Sequence, residues 1–184
     1  AIFLTNLGSA QTSTQVGGLI SQDTTWIKAS SPYNLAGPIG IPAGVTLTIQ
    51  PGTVVNFNSY YIQVNGTLSA RGTVADKIAL NLGSVASALT FADSSSSWDE
   101  QSNSGCIIEN AIINSTASFS TCIMIANTSP KINNCTILTS DYYTNIAISG
   151  GSAIISNNQL QNIQLIISDG NTPLVINNTF SQPN

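Results

Sequence analysis

The chain has 184 residues, of which 42% are apolar and only 7% are charged. Because a typical soluble domain is about 25% charged, amide and hydroxyl groups must supply most of the polar surface here. The four Lys and Arg residues are scattered along the chain, and the net charge is −4. No basic patch is available to neutralise a phosphate backbone, so nucleic acid is not expected as a partner.

The first 22 residues differ from the rest. An apolar run, residues 1–7, precedes a Thr/Ser/Gln stretch and the Gly17-Gly18 pair, which is typical of an extension on a flexible tether. The run is far too short to span a membrane, which needs about 20 residues. The start at Ala1 without Met indicates a mature exported chain, with a shortened form of a longer chain as the alternative. We expect an extension over residues 1–22 and one domain over residues 23–184.

Short strands are predicted between residues 23 and 82. Runs of four to six residues rich in Val, Ile, Leu and Thr are separated by Pro51-Gly52, Asn65-Gly66 and Arg71-Gly72. Strand formers bounded by such turn pairs are typical of short strands joined at sharp corners.

A Ser-rich stretch, residues 93–102, gathers Asp93, Asp99 and Glu100. The lack of apolar periodicity predicts a loop that protrudes between strands. Its carboxylates could form a weak calcium site. We expect instead an exposed acidic loop that keeps the surface soluble.

The second half of the chain repeats the motif apolar-x-Asn-x-x-apolar. The repeated residue is Asn110, Asn134, Asn157 and Asn177, at intervals of 24, 23 and 20. A period in the low twenties predicts a solenoid, in which each coil buries its apolar side against the next. Strand formers flank each Asn, which tolerates left-handed backbone and can bond to its copy in the next coil, so Asn is expected at a corner. Two apolar positions should stack inward: Ile108, Ile132, Ile155 and Val175, and Ile113, Ile137, Leu160 and Phe180.

The run from Gly44 to Leu82 resembles the opening coils of right-handed parallel β-helix proteins of archaeal and bacterial cell surfaces, which are related in fold to pectate lyases. The similarity extends over roughly residues 23–180. It implies an all-β, right-handed parallel β-helix with coils of about 20–24 residues. It does not imply an activity, because parallel β-helices host lyases, hydrolases, adhesins and structural proteins.

Catalytic chemistry is poorly provided for. The chain has no His, so the commonest general base and metal ligand is missing. The resemblance to β-helix lyases implies a Lys or Arg that abstracts a proton, beside carboxylates that hold calcium. No such cluster is visible in this sequence. Stacked coils could still bring two distant carboxylates together, so a paired-carboxylate site for glycoside hydrolysis remains an alternative. We expect no enzyme activity, no cofactor and no metal.

Three cysteines, Cys106, Cys122 and Cys135, are not spaced by the period that would place them in neighbouring coils. Buried free thiols are expected, and a disulfide between two of them is the alternative if the coils are irregular. The aromatic pairs Tyr60-Tyr61 and Tyr142-Tyr143 each suit a strand with one ring inward and one outward. A sugar-stacking platform is the alternative for these rings.

Five Asn-x-Ser/Thr sequons make N-linked glycans a candidate modification. They begin at Asn65, Asn114, Asn127, Asn134 and Asn177.

The two ends of the chain favour self-association. The last repeat reaches Phe180 without a charged or helical cap, and the apolar N-terminal segment Ala1, Ile2, Phe3, Leu4 and Leu7 needs a partner. Folding back onto its own first coil is one outcome, and docking on another copy is the expected one. The sequence therefore predicts a homopolymer, the structural subunit of an extracellular filament or sheath. A carbohydrate-binding or adhesive surface module is the alternative, and a polysaccharide-degrading enzyme is third.

Overall fold

The structure is a computed structural model that describes residues 13–168 and 172–182. The chain forms an all-β parallel solenoid of about seven turns, which confirms the predicted fold class. Neighbouring coils pair through parallel strands, and each complete coil contributes three strands to three long faces.

The strands of each face follow one another along the solenoid axis. Face A consists of β2 (Thr24–Trp26), β4 (Thr46–Ile49), β7 (Thr67–Arg71), β10 (Ile107–Glu109), β13 (Lys131–Asn133), β16 (Ile154–Ser156) and β19 (Leu174–Ile176). Face B consists of the first half of β3 (Tyr33–Ile41), β5 (Val54–Asn56), β8 (Ile78–Gly83), β11 (Ala111–Ser115), β14 (Thr136–Thr139), β17 (Gln159–Gln161) and β20 (Thr179–Ser181). Face C consists of the second half of β3, β6 (Ile62–Val64), β9 (Leu89–Phe91), β12 (Thr121–Ala126), β15 (Thr144–Ser149) and β18 (Ile163–Ile167).

The N-terminal strand β1 (Thr14–Leu19) lies on the first coil. It pairs with both halves of β3, across the bend from face B to face C. Residues 14–19 of the predicted extension therefore form a strand that adds to the first coil of the solenoid. Residues 1–12, which include the proposed assembly residues Ala1 to Leu7, lie outside the described residues.

Strict alternation explains why these segments form stacked strands. In β4, Leu47 and Ile49 are buried, whereas Thr46 and Thr48, which alternate with them, face outward. Leu47 stands opposite Leu68 of the next coil. Because β-branched and aliphatic side chains fit this half-buried surface, every coil adds a layer to one continuous apolar core.

The repeat stacks in the predicted register. Ile108, Ile132 and Ile155 are fully buried and stand directly opposite one another. Val175 and Phe180 continue the two columns in the last coil, but they are 38% and 53% exposed, because no described strand covers them.

The repeated Asn residues form the predicted corner. Asn110, Asn134, Asn157 and Asn177 all have left-handed backbone, with φ between 50° and 57°. The Asn134 amide donates to Asn110 Oδ1, as expected for a ladder. The Asn157 amide instead donates to Asn133 Oδ1 at 2.8 Å, so the ladder shifts by one residue.

A second Asn column faces the interior. Asn158 Nδ2 donates to the Ile132 carbonyl at 3.0 Å, and its Oδ1 accepts the Cys135 N–H at 2.8 Å. Asn178 repeats the pattern one coil later, donating to the Ile155 carbonyl at 2.7 Å. These amides satisfy backbone groups at a corner where no strand ladder can reach them.

A third Asn column runs along the outside of face B. The Asn56, Asn81 and Asn114 amides each donate to the Asn of the preceding coil, at 2.7, 2.8 and 3.0 Å, beginning at Asn34. This column has no periodic signal in the sequence, because its members are separated by 22, 25 and 33 residues rather than by a fixed period.

The three cysteines are buried and unpaired, as their spacing predicted. Burial raises the pKa of Cys122 and Cys135 to about 12 and also raises the pKa of Cys106.

At pH 8 we therefore expect no reaction of the folded protein with Ellman's reagent, because the reactive thiolate is absent and the sulfur is covered. Three thiols should react after denaturation in guanidinium, and a thiol that reacts rapidly before denaturation would contradict this burial.

Candidate functional site

Within residues 13–168 and 172–182, no strand covers the last coil of the solenoid, which exposes several large apolar side chains. We call it the end face: Ile166 and Ile167 of β18, Leu174, Val175 and Ile176 of β19, and Phe180 of β20, each between 38% and 53% exposed. Large exposed apolar side chains gathered on one terminal coil make that coil a candidate contact surface.

The same strands carry open hydrogen-bonding edges. In the described part of the chain, β18, β19 and β20 are each paired on one side only. Proteins normally protect such edges with charged residues, because an open edge can pair with a strand from another chain. Residues 142–184 contain a single charged residue, Asp169, and residues 1–22 contain none. Neither terminal region therefore supplies the usual electrostatic protection.

A cleft of about 650 Å³ opens at this end, between β18 and β20. Tyr142, Ile163, Leu165 and Phe180 supply its apolar wall, and Gln182 lies at its rim. On faces A and B the last coil has the strands β19 and β20, whereas no described strand pairs with the outer edge of β18. The cleft is thus bordered by a strand edge and by apolar side chains, the two features that a docking strand requires.

An aromatic corner lies on the edge between faces B and C. Phe119, Tyr142 and Tyr143 are 74%, 43% and 55% exposed. The expectation that Tyr142-Tyr143 would place one ring inward is wrong, because both residues belong to the turn that precedes β15 rather than to a strand. The alternation does hold approximately for Tyr60, which packs on the core, and Tyr61, which is exposed.

The acidic loop, residues 92–106, folds back onto face A instead of protruding. Trp98 is buried beneath Arg71 and Lys131, whose charged groups lie 4.8 and 5.3 Å from the centre of the indole ring. The Lys131 ammonium binds Glu100 at 2.6 Å, and this hydrogen bond is the main reason that the Glu100 pKa is lowered. The loop returns to face A at Gly105, where a side chain would collide with the Ser97 carbonyl.

The carboxylates of this loop bind protein groups. Asp99 accepts the Ser102 hydroxyl at 2.7 Å and the Gln101 N–H at 2.9 Å, contacts that lower its pKa. Among residues 13–168 and 172–182, no group of three or more His, Cys, Asp and Glu side chains is placed to hold a metal ion.

The loop forms one wall of a polar groove of about 550 Å³ on face A. The hydroxyls of Thr46, Thr48, Thr67 and Ser69 line its floor, and Arg71 lies at one end. The guanidinium is fixed by hydrogen bonds to Asn103, with a distance of 2.9 Å to Oδ1. The groove offers hydrogen-bonding groups, but the one charged side chain among its lining residues is a guanidinium, which has no acceptor and is a poor general base.

The sequons are distributed over several coils. Asn114, Asn127, Asn134 and Asn177 are exposed, and Asn65 is half-buried. The Asn114 amide donates to Asn81, so one hydrogen of its nitrogen is already committed. An N-glycosidic nitrogen retains one hydrogen, which makes a glycan at Asn114 compatible with the outer Asn column.

The described residues contain no helix of sufficient length and hydrophobicity to cross a membrane. No protein-family model, no curated protein and no solved structure matches the chain. Support for the resemblance to pectate-lyase-like cell-surface proteins is thus limited to the shared parallel β-solenoid architecture.

Proposed function

We propose that this protein is the structural subunit of an extracellular filament or sheath, in which copies join head to tail through the ends of their solenoids. The observation that carries the proposal is the end face. It combines six exposed apolar side chains with open strand edges that lack charged protection. Stacking a second copy on this surface would continue the same β-ladders and bury the apolar residues.

The occupant is the N-terminal segment of another copy. Residues 1–12 lead directly into β1, which occupies faces B and C at the opposite end of the solenoid. β1 begins at Thr14, opposite Tyr33 of β3. In a head-to-tail stack this end of the solenoid would face β18, β19 and β20 of the neighbouring copy. A segment of 12 residues spans up to about 40 Å when extended, which is long enough to reach across the junction.

The chemistry of the segment suits the end face. Ile2, Phe3, Leu4 and Leu7 are apolar, and the segment has no charged side chain to repel or to desolvate. Each large apolar side chain that becomes buried contributes about 1.5 to 3 kcal/mol before the cost of ordering the segment. Donor and acceptor surfaces differ, so the contact is heterologous and propagates into a filament.

The low charge and the sequons fit a glycosylated protein on the cell surface, in the manner of the archaeal and bacterial right-handed β-helix proteins that the sequence resembles. Exposed Asn114 and Asn134 are the glycan sites we favour, because Asn177 lies on the last coil, where a glycan would crowd the junction.

The first test removes the donor. Deletion of residues 1–12 should leave a folded monomer, because all the described strands of the solenoid, beginning with β1 at Thr14, are retained. Full-length protein should form fibres in negatively stained electron micrographs, whereas light scattering should find the truncated protein monomeric. Fibres from the truncated protein would refute donation by this segment, and a full-length protein that stays monomeric at high concentration would refute the filament.

The second test blocks the acceptor. Phe180→Lys places a charge on the end face at a side chain that is 53% exposed, so folding should be little affected. Neither Phe180→Lys nor the truncated protein should polymerise alone. Mixed together they should form dimers and nothing larger, because the first supplies only a donor and the second only an acceptor. Val74→Lys, at an apolar residue that is 79% exposed away from the ends, is the matched control and should polymerise normally.

A further inference from the structure

The aromatic corner presents three ring systems to solvent in a fixed arrangement. Phe119 and Tyr143 are stacked in parallel, with their centroids 4.8 Å apart and an angle of 11° between the rings. Tyr142 meets Tyr143 edge to face at 5.8 Å. Phe119 and Tyr143 belong to neighbouring coils, so the stack extends along the solenoid axis.

The backbone holds these rings in place at an energetic cost. Phe119 has φ = 51°, a left-handed conformation that is a rare exception for a bulky side chain. The two turns are tied together by Thr144, whose hydroxyl donates to the Ala117 carbonyl at 2.6 Å. Asp141 Oδ1 accepts the Tyr143 N–H at 3.0 Å and fixes the second turn. Strain of this kind that presents an apolar ring to water is characteristic of binding sites.

Polar groups lie immediately beside the rings. A shallow cleft of about 380 Å³ is lined by Tyr142, Tyr143, Ser140, Asp141, Asn162 and Gln182. It thus offers a hydroxyl, a carboxylate and two amides. Asn162 Oδ1 is buried and accepts no hydrogen bond in the described part of the structure. Because this oxygen has almost no accessible surface, the Asn162 amide can meet a ligand only through Nδ2, which already donates one hydrogen bond to the Thr139 carbonyl at 3.3 Å.

From this arrangement we infer that the aromatic corner is a binding site for a neutral saccharide. The ring faces offer apolar contact to the C–H face of a pyranose, and the amides and the carboxylate offer hydrogen bonds to its hydroxyls. No cation lines the cleft, and its one charged group is the carboxylate of Asp141, so an acidic glycan would be repelled. Tyr142 and Gln182 line both this cleft and the cleft at the C-terminal end, whereas Phe119 and Tyr143 do not line the end cleft, so these two rings are the ones to change in the test.

Binding can be measured by calorimetry and by the fluorescence of the exposed Tyr residues. We expect cellohexaose or mannohexaose to bind the full chain saturably, with a Kd of about 1 mM or below, and with little change between low and high salt. A galacturonate hexamer should bind more weakly than the neutral ligand. Tyr143→Ala should lower the affinity for the neutral hexasaccharide by about tenfold.

Phe119→Gly separates binding from folding. It removes the outer ring and also relieves the left-handed strain, so affinity should fall about tenfold while the thermal midpoint stays unchanged or rises. Tyr61→Ala, which removes an exposed ring from the same edge of the solenoid in an earlier coil, should retain full affinity. The inference is overturned if neither neutral hexasaccharide binds saturably at millimolar concentration, or if Tyr61→Ala loses as much affinity as Tyr143→Ala. It is equally overturned if the corner variants change self-association in light scattering but not saccharide binding.

Discussion

Replacing Ile132 by Ala is expected to lower the free energy of unfolding by about 2 to 5 kcal/mol. Ile132 is fully buried in face A, between Ile108 of one coil and Ile155 of the next. In a solenoid each coil contacts only its neighbours, so no other layer can move in to fill the space. The loss combines the hydrophobic transfer energy of the missing atoms with the cost of a cavity. Urea unfolding followed by far-ultraviolet circular dichroism measures it.

The control lies in the same column. Val175 occupies the equivalent position in the last coil and is 38% exposed. In monomeric protein, Val175→Ala should cost about 1 kcal/mol or less, because the site is already partly in water. Equal losses at the two positions would mean that Ile132 is not the interior residue that the register indicates. A larger loss for Val175→Ala in assembled fibres than in monomers would support burial of the end face by another copy.

The repeat could be predicted because its members are chemically alike and nearly evenly spaced. Ile108, Ile132 and Ile155 are identical, and each is followed two residues later by the Asn that turns the corner. Sequence periodicity reports such a column directly. The interior Asn column was not visible in the same way, because its position holds Ala111 and Cys135 in the earlier coils and Asn only in the last two. Stacking, rather than residue identity, defines that column.

The candidate sites depend even more on stacking. The last repeat indicated that Phe180 ends an apolar column, and its exposure agrees. The aromatic corner, by contrast, joins Phe119 to Tyr143, which are brought together only by the lengths of the turns in two coils. Alternation within a strand was the wrong guide for Tyr142 and Tyr143, since a corner has no alternating sides. A positive φ at Phe119 has no sequence signal, because the residue type normally argues against it.

Asn158→Ala should produce the second large loss of stability, about 2 to 5 kcal/mol. Its side chain accepts the Cys135 N–H and donates both to the Ile132 carbonyl and to Asn178 Oδ1, at 2.8, 3.0 and 2.9 Å. Alanine removes all three bonds and leaves the buried Cys135 N–H without this acceptor. A buried donor without a partner costs about 1 to 3 kcal/mol, and each lost bond adds to that. Equilibrium unfolding in urea, with the m-value checked for two-state behaviour, gives the difference.

Two variants test whether the loss comes from hydrogen bonding rather than from volume. In Asn158→Cys the thiol can still donate to the Ile132 carbonyl, as Cys135 Sγ does to the Ile108 carbonyl at 3.6 Å in the preceding coil, but it cannot replace the amide oxygen. Asn158→Cys should therefore lose less stability than Asn158→Ala. Asn158→Leu fills the space and satisfies neither backbone group, so it should be as damaging as Asn158→Ala. If Asn158→Leu is instead as stable as the unaltered protein, the column fills space at the corner and its amides add nothing to the stability of the solenoid.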